Sequence, residues 1–235
     1  MTEQHAHPSF DTIADFLIAD HKVLDGLSTA DRRLAEIGCL LAVDPASPEL
    51  LAIFREAYQA GSLPESLEDM LIHAIGYLGV IVVRRAHELL MIALTEIETT
   101  ATHDVVVCME PNRRLRVETG ARLYDRFDPG RQAKQEEKFA ALSPAYYPRA
   151  MELSGLILAS PMLALRERQI MTVAMLSCLG GQTEQLRFHI GVALRNNVQR
   201  ETLASILILV QAYAGMPRAN SAADLALDVL KQNAR

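Results

Sequence analysis

Apolar residues recur along this chain at spacings of three and four, the period of an amphipathic helix. Phe10, Ile13, Phe16 and Leu17 mark a first helix after Pro8, behind a polar tail at residues 1–7. Gly26 interrupts the pattern. Ser28 and Thr29 are N-cap candidates for a second helix, with Asp31 well placed for its dipole and Leu34, Ile37, Leu40 and Leu41 as its apolar stripe. The turn Asp44-Pro45-Ala46-Ser47-Pro48 opens a third helix that stops at Gly61. Ser62 is expected to cap a fourth, lined by Leu67, Met70, Leu71 and Ala74, and a fifth follows Gly79 to about Glu98.

Residues 99–133 break this rhythm. Thr99, Thr100 and Thr102 end the helix, Val105 to Val107 could run extended, and Pro111, Gly120, Pro129 and Gly130 punctuate the rest. The segment reads as a linker with helix around Glu118 to Asp125, followed by a charged helix from Gln132 to Ala141. From Pro144 the first pattern returns at a constant offset of 136. Pro8 meets Pro144, Leu27 meets Leu163, Arg32 meets Arg168, Leu71 meets Leu207, Tyr77 meets Tyr213 and Gly79 meets Gly215. The pattern predicts two copies of one five-helix unit, 8–98 and 143–235, joined by a partly helical linker at 99–142. Such copies would pack about a pseudo-two-fold axis, as subunits of a homodimer do.

Composition narrows the function. Half the residues are hydrophobic, Trp is absent and the net charge is −6. Ala, Leu, Glu, Arg and Gln favour helix over strand. Basic residues are scattered, without the concentrated face that nucleic acid needs. The most apolar run, Ala74 to Val83, is too short to span a bilayer. The N-terminus lacks the basic-then-apolar order of a signal peptide, and three unpaired cysteines, Cys39, Cys108 and Cys178, suit a reducing compartment, so a cytoplasmic location is expected. No metal-ligand spacing, Gly-rich phosphate loop or GxSxG elbow is present, and neither a metal nor a cofactor is expected.

The stretch Leu163 to Pro217 carries Arg166-Glu167-Arg168, Phe188-His189 and Tyr213-Ala214-Gly215-Met216-Pro217. In these motifs the chain resembles the carboxymuconolactone decarboxylase family, which shares its fold with the alkylhydroperoxidase D group, and it looks closest to the γ-carboxymuconolactone decarboxylase branch. The resemblance covers residues 143–234 closely and 8–98 more faintly, and Glu118 to Tyr124 is similar to the lead-in before such domains. It implies an all-α fold of tandem carboxymuconolactone decarboxylase/alkylhydroperoxidase D-like repeats, and assembly into a homo-oligomer. The departures are informative. Gln182 and Gln185 stand where the peroxidase branch has its CxxC pair, so a dithiol cycle is not available. Gln169 replaces an acidic residue at the end of the arginine motif. A second family histidine is expected four residues before the YAG tyrosine; Leu209 occupies that place in the second repeat, and His73 in the first.

Each repeat therefore keeps one histidine. Position 189 minus 136 is Ile53, and position 73 plus 136 is Leu209. The expectation is one polar site between the copies, built from His73 and His189 as acid–base catalysts, and a greasy, inert sister site at Ile53 and Leu209. A histidine near its ordinary pKa could carry a proton either way at neutral pH. Arg168 and Arg32 are candidates to hold a substrate carboxylate, with structural ion pairing as their other reading. Tyr77 and Tyr213 could donate to a developing oxyanion or serve as core residues, and Glu184 and Gln211 complete the substrate-binding candidates. The resulting expectation is a cofactor-independent lyase or isomerase acting on a small organic acid or lactone. The alternatives are a natural-product tailoring enzyme with a larger polyketide-like substrate, and a non-catalytic binding or assembly module.

Overall fold

The computed structural model describes residues 9–19, 26–97, 112–127 and 129–233. Among these, the chain forms helices and no strand. The helices are α1 (Phe10–Ala19), α2 (Thr29–Val43), α3 (Pro48–Gln59), α4 (Pro64–Leu78), α5 (Val80–Ile97), α6 (Arg113–Phe127), α7 (Arg131–Ala140), α8 (Tyr146–Leu158), α9 (Leu165–Leu179), α10 (Thr183–Arg195), α11 (Arg200–Ala214) and α12 (Met216–Asn233). Residues 1–8, 20–25, 98–111, 128 and 234–235 lie outside this description. With them go the expectations for the tail, for Val105 to Val107 and for Cys108.

The caps explain most boundaries. The Ser28 hydroxyl accepts from the Asp31 N–H at the start of α2, and the Ser47 hydroxyl from the Leu50 N–H at the start of α3. The expected Ser62 cap is displaced: Leu63 is the N-cap of α4 and offers no side-chain bond. Pro64 at the first helical position holds the residue before it in extended backbone, which fixes the cap one residue later. The bounds of α2, α4 and α5, moved by 136, coincide with those of α9, α11 and α12. Gly79 and Gly215 close α4 and α11 at φ 80° and 86°, a conformation that a side chain would strain.

One apolar core runs through both halves, from Leu34 and Ile37 to Ala226 and Val229. Its centre is the contact of α2 with α9, and α9 is buried at every position from Arg168 to Cys178. Cys39 and Cys178 lie here as fully buried free thiols.

The segment read as a linker is largely helix, and it is folded tightly onto α8. α6 begins at Arg113, well before the expected Glu118, because side chains of α8 hold it. The buried Glu152 carboxylate accepts from Arg116 at 2.6 Å, Arg149 at 2.9 Å and Arg113 at 3.1 Å. These bonds pull its pKa down to about 2. The backbones meet at two glycines: a Cβ on Gly120 would run into the Met151 carbonyl, and one on Gly155 into that of Arg116.

Candidate active site

A cavity of about 470 Å³ opens between α8, the α6–α7 segment and the ends of α4, α9 and α10. α10 supplies Gln185, Phe188 and His189, with Gln182 just before its first turn; α4 supplies Tyr77. Tyr124, Phe127, Gln135 and Phe139 come from α6 and α7, and Tyr146, Ser154 and Ile157 from α8. The two positions that would hold a CxxC pair therefore put amides, not thiols, on the cavity wall. No Asp, Glu, Lys or Arg is among the described lining residues.

His189 is the titratable imidazole that reaches this cavity. Its Nδ1 donates to the Gln169 side-chain oxygen at 2.8 Å, so the tautomer is set and Nε2 is the basic nitrogen. Burial, aided by the Arg131 charge, pushes its pKa down to about 3. Tyr77 packs edge-on against it, with ring centroids 5.4 Å apart, and burial raises the phenol to about 12.

His73 lies one layer deeper. Its ring is 5.2 Å from Tyr77, its Nε2 pairs with the Thr172 hydroxyl at 2.8 Å, and its Nδ1 has no partner. Burial, the Arg168 charge and His189 lower its pKa to about 3. The two histidines thus join one cluster through Tyr77, but only His189 meets the cavity. His73 is fully buried behind Tyr77 and does not line the cavity. Neither histidine titrates near neutrality as the sequence reading expected, since burial penalises the imidazolium.

The other candidates fall elsewhere. Arg168 is buried and faces Asp69 at 2.6 Å, with further bonds to the carbonyls of Leu163, Ile157 and Ser160. Four of its five N–H groups are thus engaged within the protein, and it does not line the cavity. Arg32 pairs with Glu36 at 3.7 Å on α2, and Tyr213 sits in their vicinity, its phenol raised by burial and by Glu36. Glu184 and Gln211 are exposed and outside the cavity. At the positions of the expected sister site, Ile53 and Leu209 belong to the apolar core, and Arg32 and Glu36 pair with each other on α2.

The arginine motif also resolves into structural parts. Arg166 makes a two-point pair with Asp31 of α2 at 2.6 and 2.9 Å, and Glu167 accepts from the Ala164 N–H ahead of α9. The next residue, Gln169, carries the contact to His189. The departure from an acidic residue was visible in the sequence, but its meaning required the helix crossing.

Residues 144–228 match the model of the carboxymuconolactone decarboxylase family. A 4-carboxymuconolactone decarboxylase of Acinetobacter baylyi is 32% identical over 77 residues, which cover 33% of this chain and 57% of that protein. The chain is thus similar to the carboxymuconolactone decarboxylase family over this part, and it spans little more than half the length of the Acinetobacter relative. The family segment contains α8 to α11 and most of α12, and with them His189, Gln169, Gln182 and Gln185. Tyr77, His73 and the wall from Tyr124 to Phe139 lie outside it. The cavity is thus bounded on one side by the family segment and on the other by residues the family match does not cover. No described helix is long and apolar enough to cross a membrane, and among the described residues no group of three His, Cys, Asp or Glu is gathered for a metal.

Proposed function

We propose that the cavity is the active site of a cofactor-independent lyase or isomerase, decarboxylase-like in chemistry, with His189 as the proton-transfer residue. The observation that carries this is the position of His189. One ring nitrogen is tied by Gln169 and the other is left basic at the wall of a cavity whose described lining residues carry no formal charge. In the lyase direction, a substrate carboxylic acid gives its proton to Nε2. The carbon–carboxylate bond then breaks, CO₂ leaves, and the bond's electron pair enters a conjugated carbonyl as an enolate. The imidazolium returns the proton to carbon. A pKa of about 3 makes that imidazolium a strong acid, quick to return what it received. In an isomerisation the same nitrogen takes a proton from one carbon and returns it to another. Tyr77 stays protonated at neutral pH and would donate to the enolate oxygen.

The small carboxylate or lactone reading draws on the name of the Acinetobacter relative. A natural-product tailoring role is favoured by the cavity's aromatic wall, which suits a larger conjugated substrate. We also infer that the halves 8–98 and 143–235 are copies of one unit, on the strength of their equal helix bounds, and that the chain works as a cytoplasmic homo-oligomer. The deciding experiment is turnover of a panel of lactones and conjugated acids by wild type and His189→Ala. The variant should lose about 10²- to 10⁴-fold in kcat. Full retention on every accepted substrate would refute the proposal.

A further inference from the structure

Leu176, Leu179 and Gln182 line two cavities: the one that contains His189, and a second of about 370 Å³ that contains neither histidine. The second recess lies between the end of α9, the start of α10 and the first half of α12. Leu186 and Leu225 extend its apolar lining. Ser177 also lines it. That residue is 1% exposed, and its hydroxyl has no hydrogen-bond partner among the described residues. A buried hydroxyl without a partner is costly, and a polar group in the recess would supply one.

Two sources of positive charge meet at this recess. Arg218, which directly follows the Tyr213-to-Pro217 motif, lines it and makes no ion pair among the described residues. Its Nε lies 3.6 Å from the place a Cβ on Gly180 would occupy, so the guanidinium sits beside the turn from α9 into α10. Gly180 and Gly181 make that turn at φ 68° and 74°. α10 then starts at Thr183, another lining residue, with no side-chain cap, which leaves its first-turn N–H groups open to a ligand. Glu184 is in the same turn but is exposed and does not line the recess. At the offset of 136, Ser177 and Arg218 are matched by Leu41 and Val82, so the other half has no such set. One guanidinium and about half a unit of charge at a helix N-terminus suit a single negative charge, and the planar fork suits a carboxylate. We propose that the recess is a second ligand site, for an aliphatic organic carboxylate. Its charged end meets Arg218 and the start of α10, its body lies on the four leucines, and the Ser177 hydroxyl finds its acceptor in the ligand. The proposal is independent of catalysis at His189.

The test uses the full chain and a matched pair of probes, 6-fluorohexanoate and 6-fluorohexanamide, titrated by fluorine NMR. The two share a shape and differ in charge. Wild type should bind the acid at least about tenfold more tightly than the amide. Arg218→Gln should bring the two affinities together while leaving the amide unchanged, and Arg218→Lys should keep part of the acid preference. Ser177→Ala should weaken the acid by about fivefold without lowering thermal stability, because the hydroxyl it removes has its acceptor in the ligand and none in the protein. Ser221→Trp, at an exposed lining position on α12, fills the recess and should remove binding. Ser154→Trp fills the His189 cavity and should leave binding unchanged. Hexyl phosphate should displace the acid less well than hexanoate does. The proposal is overturned by equal wild-type affinity for acid and amide, by an acid preference that survives Arg218→Gln, or by the failure of the acid to bind. Binding that survives Ser221→Trp but is lost in Ser154→Trp overturns it too, and a tighter hold on the phosphate overturns the choice of a carboxylate. Any of these results would leave the loss of turnover in His189→Ala standing, so the second site and the catalytic reading fail separately.

Discussion

Two regions of the molecule occupy equivalent positions at the offset of 136 and have opposite electrostatics. Around the cavity, His189, Gln169, Thr172, His73 and Tyr77 form a neutral polar cluster. Their counterparts are Ile53, Arg33, Glu36, Leu209 and Tyr213. At these positions the histidines are matched by aliphatic residues, and the threonine that holds His73 is matched by a glutamate paired with Arg32. The arginines reverse the comparison. Arg168 of the cavity side is buried against Asp69, whereas Arg32 is half-buried, and the residue matching Asp69 is Ser205. The lesson is that the imidazoles sit in a neutral hydrogen-bonded cluster, whereas the matching positions on the other side carry fixed charge. On the cavity side the buried Arg168–Asp69 pair stays close enough to His73 for the arginine to oppose its protonation, and the imidazole cluster is neutral.

The largest difference should appear in the ion pairs. Burial raises the Asp69 carboxyl and lowers the Arg168 guanidinium despite their contact, so each charge depends on the other to be tolerated. Asp69→Asn leaves Arg168 buried without a counter-charge and should cost about 3–5 kcal/mol. Glu36 is also raised by burial, but its neutral replacement removes a desolvated charge and leaves Arg32 able to reach water. Glu36→Gln should therefore change stability by less than about 0.5 kcal/mol, or increase it. Urea denaturation of both variants tests the contrast, and equal costs would break it.

The histidines predict a smaller effect with a definite sign. Both have folded-state pKa values of about 3, against an ordinary value of 6.5. The unfolded chain takes up their protons below pH 6.5, and the folded chain does not until about pH 3. Their neutral burial is thus fully compatible with the fold above pH 6.5, and stability falls as the pH drops through that window. At pH 5.5, unfolding of wild type should bind about one proton more than unfolding of His189→Gln, measured by calorimetry in buffers of different ionisation heat. An unchanged proton uptake would mean that His189 is open to solvent. Ile53 and Leu209 contribute nothing of this kind, so the acid sensitivity belongs to the cavity side.

The helices, their caps and the 136-residue recurrence were legible because they depend on local periodicity and on single residues such as Ser28, Ser47 and Gly79. His189 was legible as well, as a lone polar residue in an apolar helix with a familiar neighbour. Other parts depended on contacts between helices distant in sequence. Gln169 could be seen as a departure, but its bond to His189 needs α9 and α10 to pack. Arg168 carried two readings, a carboxylate holder and a structural ion pair, and only the packing of α4 and α8 against α9 shows Asp69 and the backbone carbonyls that engage it. The α6–α7 wall was hardest to foresee, because its helices are polar and charged; two glycines and Glu152 on α8 decide where it lies.

The smallest effect sharpens the comparison most, because it concerns two tyrosines that the sequence could not tell apart. Tyr77 and Tyr213 each follow a histidine or its replacement by four residues and precede a positive-φ glycine by two. Burial raises both phenols, so both are neutral donors at physiological pH. Only Tyr77 lines the cavity and contacts the His189 ring. Loss of one well-placed oxyanion donor costs about 100-fold, so Tyr77→Phe should lower kcat by roughly that factor with little change in stability. Tyr213 is near Glu36 and Arg32 and does not line the cavity, so Tyr213→Phe should leave kcat within about twofold. Equal losses in the two variants would mean that both halves carry chemistry, and the neutral cluster at His189 would no longer explain which half is active.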